Sequence, residues 1–136
     1  MKIPVTSSWF TPLPPIFARI GISRSAPRGQ SGYKRYSKLA PGPWFRSVSA
    51  EEYRQRYMAQ LNQLDPRLVL TELETLAGDL TPALLCFEKP NDDAWCHRGY
   101  VSAWLNDKLG IEVVEYGRER DGCGWSHPKL PDGHRL

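Results

Sequence analysis

No Asp or Glu occurs in the first fifty residues of this 136-residue chain, although eight Lys or Arg do. That stretch carries +8 and the remainder −5, so the net charge of +3 hides a strong asymmetry. A block of one sign raises the local concentration of anions and suits phosphate-bearing partners. Other scarcities narrow the class. Three Cys, odd in number and unevenly spaced, do not make a disulfide framework, so a reduced, cytoplasmic protein is expected. No apolar run approaches the roughly 20 residues of a membrane helix. The N-terminus, with one Lys and no sustained apolar stretch, does not read as a signal peptide, so no membrane association is expected. There is no internal repeat, no low-complexity tract, no phosphate-loop or dinucleotide fingerprint, and no legible Ser/His/Asp triad. The length suffices for one domain with a real core.

Local patterns supply the elements. Residues 3–10 read as a first strand, closed by Thr11-Pro12-Leu13-Pro14-Pro15, which continues neither a ladder nor a helix. Residues 17–23 read as a second, buried strand leading into a turn-rich loop. Residues 33–45 are basic and aromatic and are broken by Pro41-Gly42-Pro43; they predict an ordered loop with at most one helical turn.

Ser49 and Glu52 make a capping box, followed by Tyr53, Tyr57, Leu61 and Leu64 at helical spacing. Asp65 and Pro66 are the cap and first position of a second helix, with Leu68, Val69, Leu73 and Leu76 as its buried face and Gly78 as its stop. Residues 82–88 predict a central strand covered on both faces. Residues 93–109 predict a third helix with Trp104, Leu105 and Leu109 in the core, and residues 111–116 a last strand. Strand, helix and strand over 82–116 form a parallel crossover unit. The expected architecture is a single three-layer α/β domain with a small, mainly parallel sheet of about four strands over residues 1–117. An irregular tail follows over 118–136.

The chemistry concentrates at Leu84-Leu85-Cys86-Phe87-Glu88-Lys89 and, after a short Asn/Asp-rich loop, Cys96-His97-Arg98. In open α/β sheets the exit from strand to helix is where ligands bind. Alternation puts Cys86 and Glu88 on one side of the strand. Cys96, His97 and Arg98 are expected in the first helical turn, where free N–H groups and the dipole favour anions and lower a thiol pKa. Cys96 then serves as a thiolate, His97 and Glu88 as proton carriers, and Arg98 as a planar fork for phosphate or carboxylate. Lys89 or Arg98 is the expected partner of Glu88. Cys86, inside the apolar strand, reads as a buried structural thiol.

A second basic element is the loop after residue 23. Ser23, Arg24 and Arg28, near two glycines, can cradle an anion with backbone help, and Lys34 adds charge. Tyr33, Lys34, Tyr36, Lys38, Trp44 and Phe45 interleave rings with bases, a pattern that stacks nucleobases. For metal, Cys86, Cys96, His97, Cys123, His127 and His134 are the candidate ligands. Cys123 and His127 lack the accompanying C-x-x-C pair of a zinc site, so no metal or other cofactor is required.

Leu84-Leu85-Cys86-Phe87-Glu88-Lys89-Pro90 together with Trp95-Cys96-His97-Arg98 and Ala103-Trp104-Leu105 resembles the signature of the Domain of Unknown Function 488 (DUF488) family: an apolar strand ending in Cys-x-Glu, a short loop, Cys-His-Arg and a helix. The resemblance extends through Ile22-Ser23-Arg24, Tyr33 to Pro41 and Leu64-Asp65-Pro66, covering roughly residues 3–116. Several members carry Asp-x-Arg where this chain has Ile22-Ser23-Arg24, so the acid is absent and Arg24 is retained. The resemblance implies a Rossmann-like domain from bacteria or their phages, and it names no reaction. The expected function is an enzyme acting on a phosphorylated ligand, a nucleotide or a nucleic-acid end, held by Arg24 and Arg98. A non-catalytic nucleic-acid-binding module using residues 19–46 is the second reading. A phage-borne inhibitor presenting Trp9, Trp44 and Trp125 in one patch is the third.

Overall fold

A computed structural model of the chain describes residues 2–136. Its sheet has four strands, β1 (Val5–Ser8), β2 (Phe17–Gly21), β3 (Tyr33–Arg35) and β4 (Thr81–Cys86), in the order β1-β4-β2-β3. All pairings are parallel, with Ser8 opposite Cys86 and Gly21 opposite Leu85. Three helices complete the α/β domain: α1 (Ala50–Leu61), α2 (Pro66–Ala77) and α3 (Arg98–Leu109). None of the described helices is long and apolar enough to cross a membrane.

The helices begin where their caps dictate. The Ser49 hydroxyl accepts from the Glu52 N–H, and the Asp65 carboxylate accepts from the N–H groups of Arg67 and Leu68, satisfying donors that the helix leaves open. Tyr53, Tyr57 and Leu61 are buried along α1. In α2 the buried stripe is Val69, Leu70, Leu73 and Ala77; Leu68 is half exposed, one position off the expected face. Gly110, at φ +69°, ends α3 in the left-handed region.

The layers divide by strand alternation. Ile20, Ile22, Leu84 and Cys86 face a single large core with the apolar residues of all three helices. Ala83 and Leu85 face the opposite way and pack with Trp9, Leu13, Phe17, Ala26 and Tyr33. The third layer is thus built from the loops after β1 and β2 rather than from helices.

Three expectations change. The segment 33–45 contains the edge strand β3 and two 3-10 turns, Ser37–Leu39 and Pro43–Arg46. Residues 111–116 form no full strand, but Thr6 N–H donates to Val114 O and Tyr116 N–H to Thr6 O, a two-bond extension of the sheet beside β1. Helix α3 starts at Arg98 rather than 93. Asp92 accepts from the N–H groups of Lys89 and Ala94, and such a side-chain turn competes with helix. The Cys96 N–H donates to Lys129 O, which commits that amide outside the helix.

The segment after residue 117 holds three short 3-10 turns, Glu119–Asp121, Gly124–Ser126 and Asp132–His134, and part of it is interior: His127, Lys129 and Leu130 are buried. It packs on the first turn of α3 at Gly99, where a Cβ would lie 2.9 Å from the Leu130 nitrogen. Trp9 is buried, Trp44 packs edge-on against Tyr53 and Trp125 against Tyr100, so the three indoles do not share an exposed patch.

Candidate functional site

The parallel register brings the carboxyl ends of β2 and β4 to one edge, and the chain between β4 and α3 returns to the same place. There lies a cavity of about 440 Å³, lined by Ser23, Arg24, Arg46, Glu88, Cys96 and His97 among others. Its apolar wall is Phe45, Tyr53, Phe87 and Trp95. The volume and the mixture of ring surface with a few polar groups match a small-molecule site.

His97 holds the centre. Its Nε2 lies 2.8 Å from the Ile22 carbonyl, which can only accept, so this nitrogen carries the proton. The Nδ1 atom then faces Cys96 Sγ at 3.6 Å. Cys86 Sγ lies 3.6 Å from Nε2 and 3.8 Å from Nδ1. The ligand atoms of the two thiols and the imidazole lie within 4.8 Å of one another, a spacing a metal could bridge. Cys86, however, is nearer the nitrogen already committed to Ile22, so the three groups do not aim at one point. The arrangement is a thiol pair beside an oriented imidazole.

Electrostatics separates the two thiols. Burial opposes ionisation of Cys96, but the Cys86 hydrogen bond and the positive charges of His97 and Arg98 outweigh it and hold its pKa well below the usual thiol value. Cys86 moves the other way, because burial and the neighbouring Cys96 charge keep it protonated. Burial disfavours charge on His97 as well, yet the adjacent Cys96 thiolate overcomes this and raises its pKa. Glu88 is pushed up to about 7 by burial, by the Cys96 charge and by a hydrogen bond to Cys96. A carboxyl that is half protonated at neutrality beside a thiolate can deliver or accept a proton.

Arg98 is not at the cavity. Its guanidinium is closed from solvent and binds Glu115 at two points: Nε donates to Oε1 at 2.8 Å and Nη2 to Oε2 at 2.6 Å. The expectation that Arg98 binds the ligand, or pairs with Glu88, is therefore corrected. The first turn of α3 faces the core, and a buried cation requires a buried anion. Among the described residues its Nη1 has no hydrogen-bond partner. Its charge still acts on the site, since it lowers the pKa of Cys96 through space.

Other anticipated residues are distributed unevenly. Arg24 is exposed at the mouth, where its Nη1 donates to Pro41 O and its guanidinium lies 5.7 Å from the Phe45 ring centre. Ser23 lines the cavity, but its hydroxyl accepts from Trp9 Nε1 and donates to Ser25 O, so it serves the loop. Arg28 and Lys34 are exposed and do not line the cavity. Lys89 points to a separate shallow hollow with Phe10 and Arg118. The supposed base-stacking rings are largely used internally: Tyr36 donates to Glu72, Tyr33 packs edge-on against Trp9, and only Phe45 of that set reaches the cavity.

The model of the family described as "Active DUF488-N3 subclade" (DUF488-N3a) matches residues 14–109. The chain belongs to the DUF488 family. No curated protein and no solved structure matches it. The matched part of this DUF488 chain contains every cavity residue named above, from Ser23 to His97.

Several supporting residues carry no motif that reveals them in the sequence. Arg46 lies 5.0 Å from the Phe45 ring centre on the cavity wall. Glu115 also accepts from Thr6 Oγ1, which in turn accepts from His127 Nε2, while His127 Nδ1 accepts the Lys129 N–H. This fixes His127 as a neutral imidazole, and burial with nearby Arg98 lowers its pKa to about 3. Lys129 Nζ donates to Lys89 O, Asp92 O and Asp92 Oδ1, clasping the loop between Glu88 and Cys96.

Proposed function

We propose that this DUF488 protein is an enzyme that acts on a phosphate-bearing ligand, a nucleotide or the end of a nucleic acid, with the Cys96 thiolate as nucleophile. The observation that carries the reading is the convergence of Arg24, Arg46, Glu88, Cys96 and His97 on one cavity. Arg24, Arg28, Lys34 and Arg46 enter none of the ion pairs among the described residues, which leaves their charge for an anion. Arg24 and Arg46 hold the phosphate at the mouth while Phe45, Tyr53 and Trp95 pack against the remainder. His97 and, from beneath, Arg98 keep Cys96 ionised, and protonated Glu88 donates to the leaving group. The description of the matched subclade as active agrees with a working site.

The test combines protection and mutation. A panel of nucleotides, inorganic phosphate and short oligonucleotides is screened for slowing of Cys96 alkylation by iodoacetamide and for a raised melting temperature. At least one phosphorylated compound should do both, and the Arg24→Ala/Arg46→Ala double variant should lose both. If no such compound does either, the reading is wrong. The exposed bases of residues 24–46 favour the binding-module reading as second. Oligonucleotide binding that weakens steeply with salt and is unchanged in Cys96→Ser would select it.

A further inference from the structure

The reading of Cys96 as thiolate nucleophile gives no work to Cys86, although both sulfurs lie against the same imidazole and both line the cavity. We propose that Cys86 and Cys96 form a reversible disulfide, with hydroperoxides as the oxidants, that switches the site off. The inference rests on Cys96 being the ionised thiol of the site and is independent of which ligand the cavity binds.

The geometry supports the pair. Their ligand atoms lie within 4.8 Å, and a disulfide requires about 2.05 Å, so the sulfurs must close by less than ~3 Å. Cys86 is the last residue of β4 and is held by the ladder to β1, opposite Ser8, with its carbonyl accepting from the Trp9 N–H. Cys96 lies in the irregular segment before α3, outside any ladder, where its N–H donates to Lys129 O and its carbonyl accepts from the Gly99 N–H. Rotation of the Cys96 side chain with a small loop adjustment accommodates the approach. Both thiols are buried but line the cavity, which is the route by which a small peroxide reaches Cys96.

The chemistry balances in two steps. The Cys96 thiolate attacks the terminal oxygen of the hydroperoxide; an S–O bond forms, the O–O bond breaks, and the departing alkoxide takes a proton from Glu88. Sulfur is oxidised to sulfenic acid and the peroxide is reduced to an alcohol or water. The Cys86 sulfur then attacks the Cys96 sulfur; the S–S bond forms, hydroxide leaves and combines with the Cys86 thiol proton as water. A dithiol restores both thiols by exchange. A resolving thiol beside the thiolate protects the latter from irreversible oxidation. The third cysteine is an internal control: Cys123 lies near Glu112, and burial with that carboxylate raises its pKa.

The experiment treats the reduced protein with hydrogen peroxide at neutral pH, blocks free thiols, and maps the products by proteolysis and mass spectrometry. A parallel sample receives iodoacetamide alone. The expected result is a Cys86–Cys96 cross-linked peptide lighter by two hydrogens, with Cys96 alkylation abolished and then restored by dithiothreitol. In Cys86→Ser the cross-link is absent, dimedone traps the Cys96 sulfenic acid, and dithiothreitol does not recover the over-oxidised fraction. If iodoacetamide labels Cys96 but peroxide yields no cross-link in the unmutated protein, the switch is refuted while the thiolate reading stands. If iodoacetamide leaves Cys96 untouched at neutral pH, both fail.

Discussion

Arg98 and Glu115 form a two-point ion pair with neither side chain reaching solvent, 2.8 Å and 2.6 Å between the bonded atoms. The pair joins the first turn of α3 to the segment that extends the sheet beside β1. Removal of one member leaves an uncompensated buried charge, which costs about 3–5 kcal/mol. Arg98→Ala and Glu115→Ala should each destabilise the domain by that order in urea unfolding. The double variant should cost less than the two singles together, because no lone charge remains. A ligand-binding Arg98 would instead lose affinity with stability unchanged.

Lys129→Met keeps the buried stem and removes the charged head that clasps Lys89 and Asp92. The loss should be about 1–3 kcal/mol, the cost of unsatisfied buried acceptors. Hydrogen exchange over residues 89–97 should accelerate more than exchange in α2. Equal protection in both segments would show that the clasp does not order the loop.

Glu88 sets a pH dependence with a definite sign. Its folded pKa of about 7 lies above the ordinary carboxyl value, so the folded state binds the proton more tightly. Its contribution to stability is therefore present below the ordinary carboxyl range and is lost as pH rises through about 7. The same ionisation places a carboxylate beside the Cys96 thiolate. Stability of Glu88→Gln should fall less than that of the unmutated protein across this window. Cys96 alkylation, followed against pH, should lose its inflection near neutrality in the variant.

His127 acts in the opposite direction. Its folded pKa of about 3 lies below the ordinary imidazole value, so the unfolded chain takes up the proton first. The stability this buried neutral ring represents is present above the ordinary imidazole pKa and is lost as pH falls toward about 3. His127→Gln should be less stable at neutrality and show a shallower acid limb in denaturation curves. An unchanged acid limb would refute the assignment.

Much of the site was legible because its residues are close in sequence and sit at a strand exit. Cys86 and Glu88 both line the cavity, although β4 ends at Cys86 and Phe87 lines it too, so strand alternation is not what gathers them, and Arg24 reaches the same edge from the exit of β2. The contact between Cys86 and His97 was not legible. Cys86 is buried as its apolar strand predicts, but nothing near it in the sequence reports that His97, eleven residues later, folds against it. Arg98 was misplaced because its position in the sequence, next to Cys96 and His97, does not report which way a helix start faces.

The sequence by itself determined the caps of α1 and α2, the apolar stripes, the parallel α/β order and the family, since each depends on residues within a turn or two of one another or on a compact motif. Only the tertiary structure decided the ion-pair partner of Arg98, the entry of His127 and Lys129 into the interior, and the meeting of two thiols at one imidazole. Those arrangements join segments far apart in the chain. A buried charge takes whatever counter-charge packing delivers, and no local pattern encodes that choice.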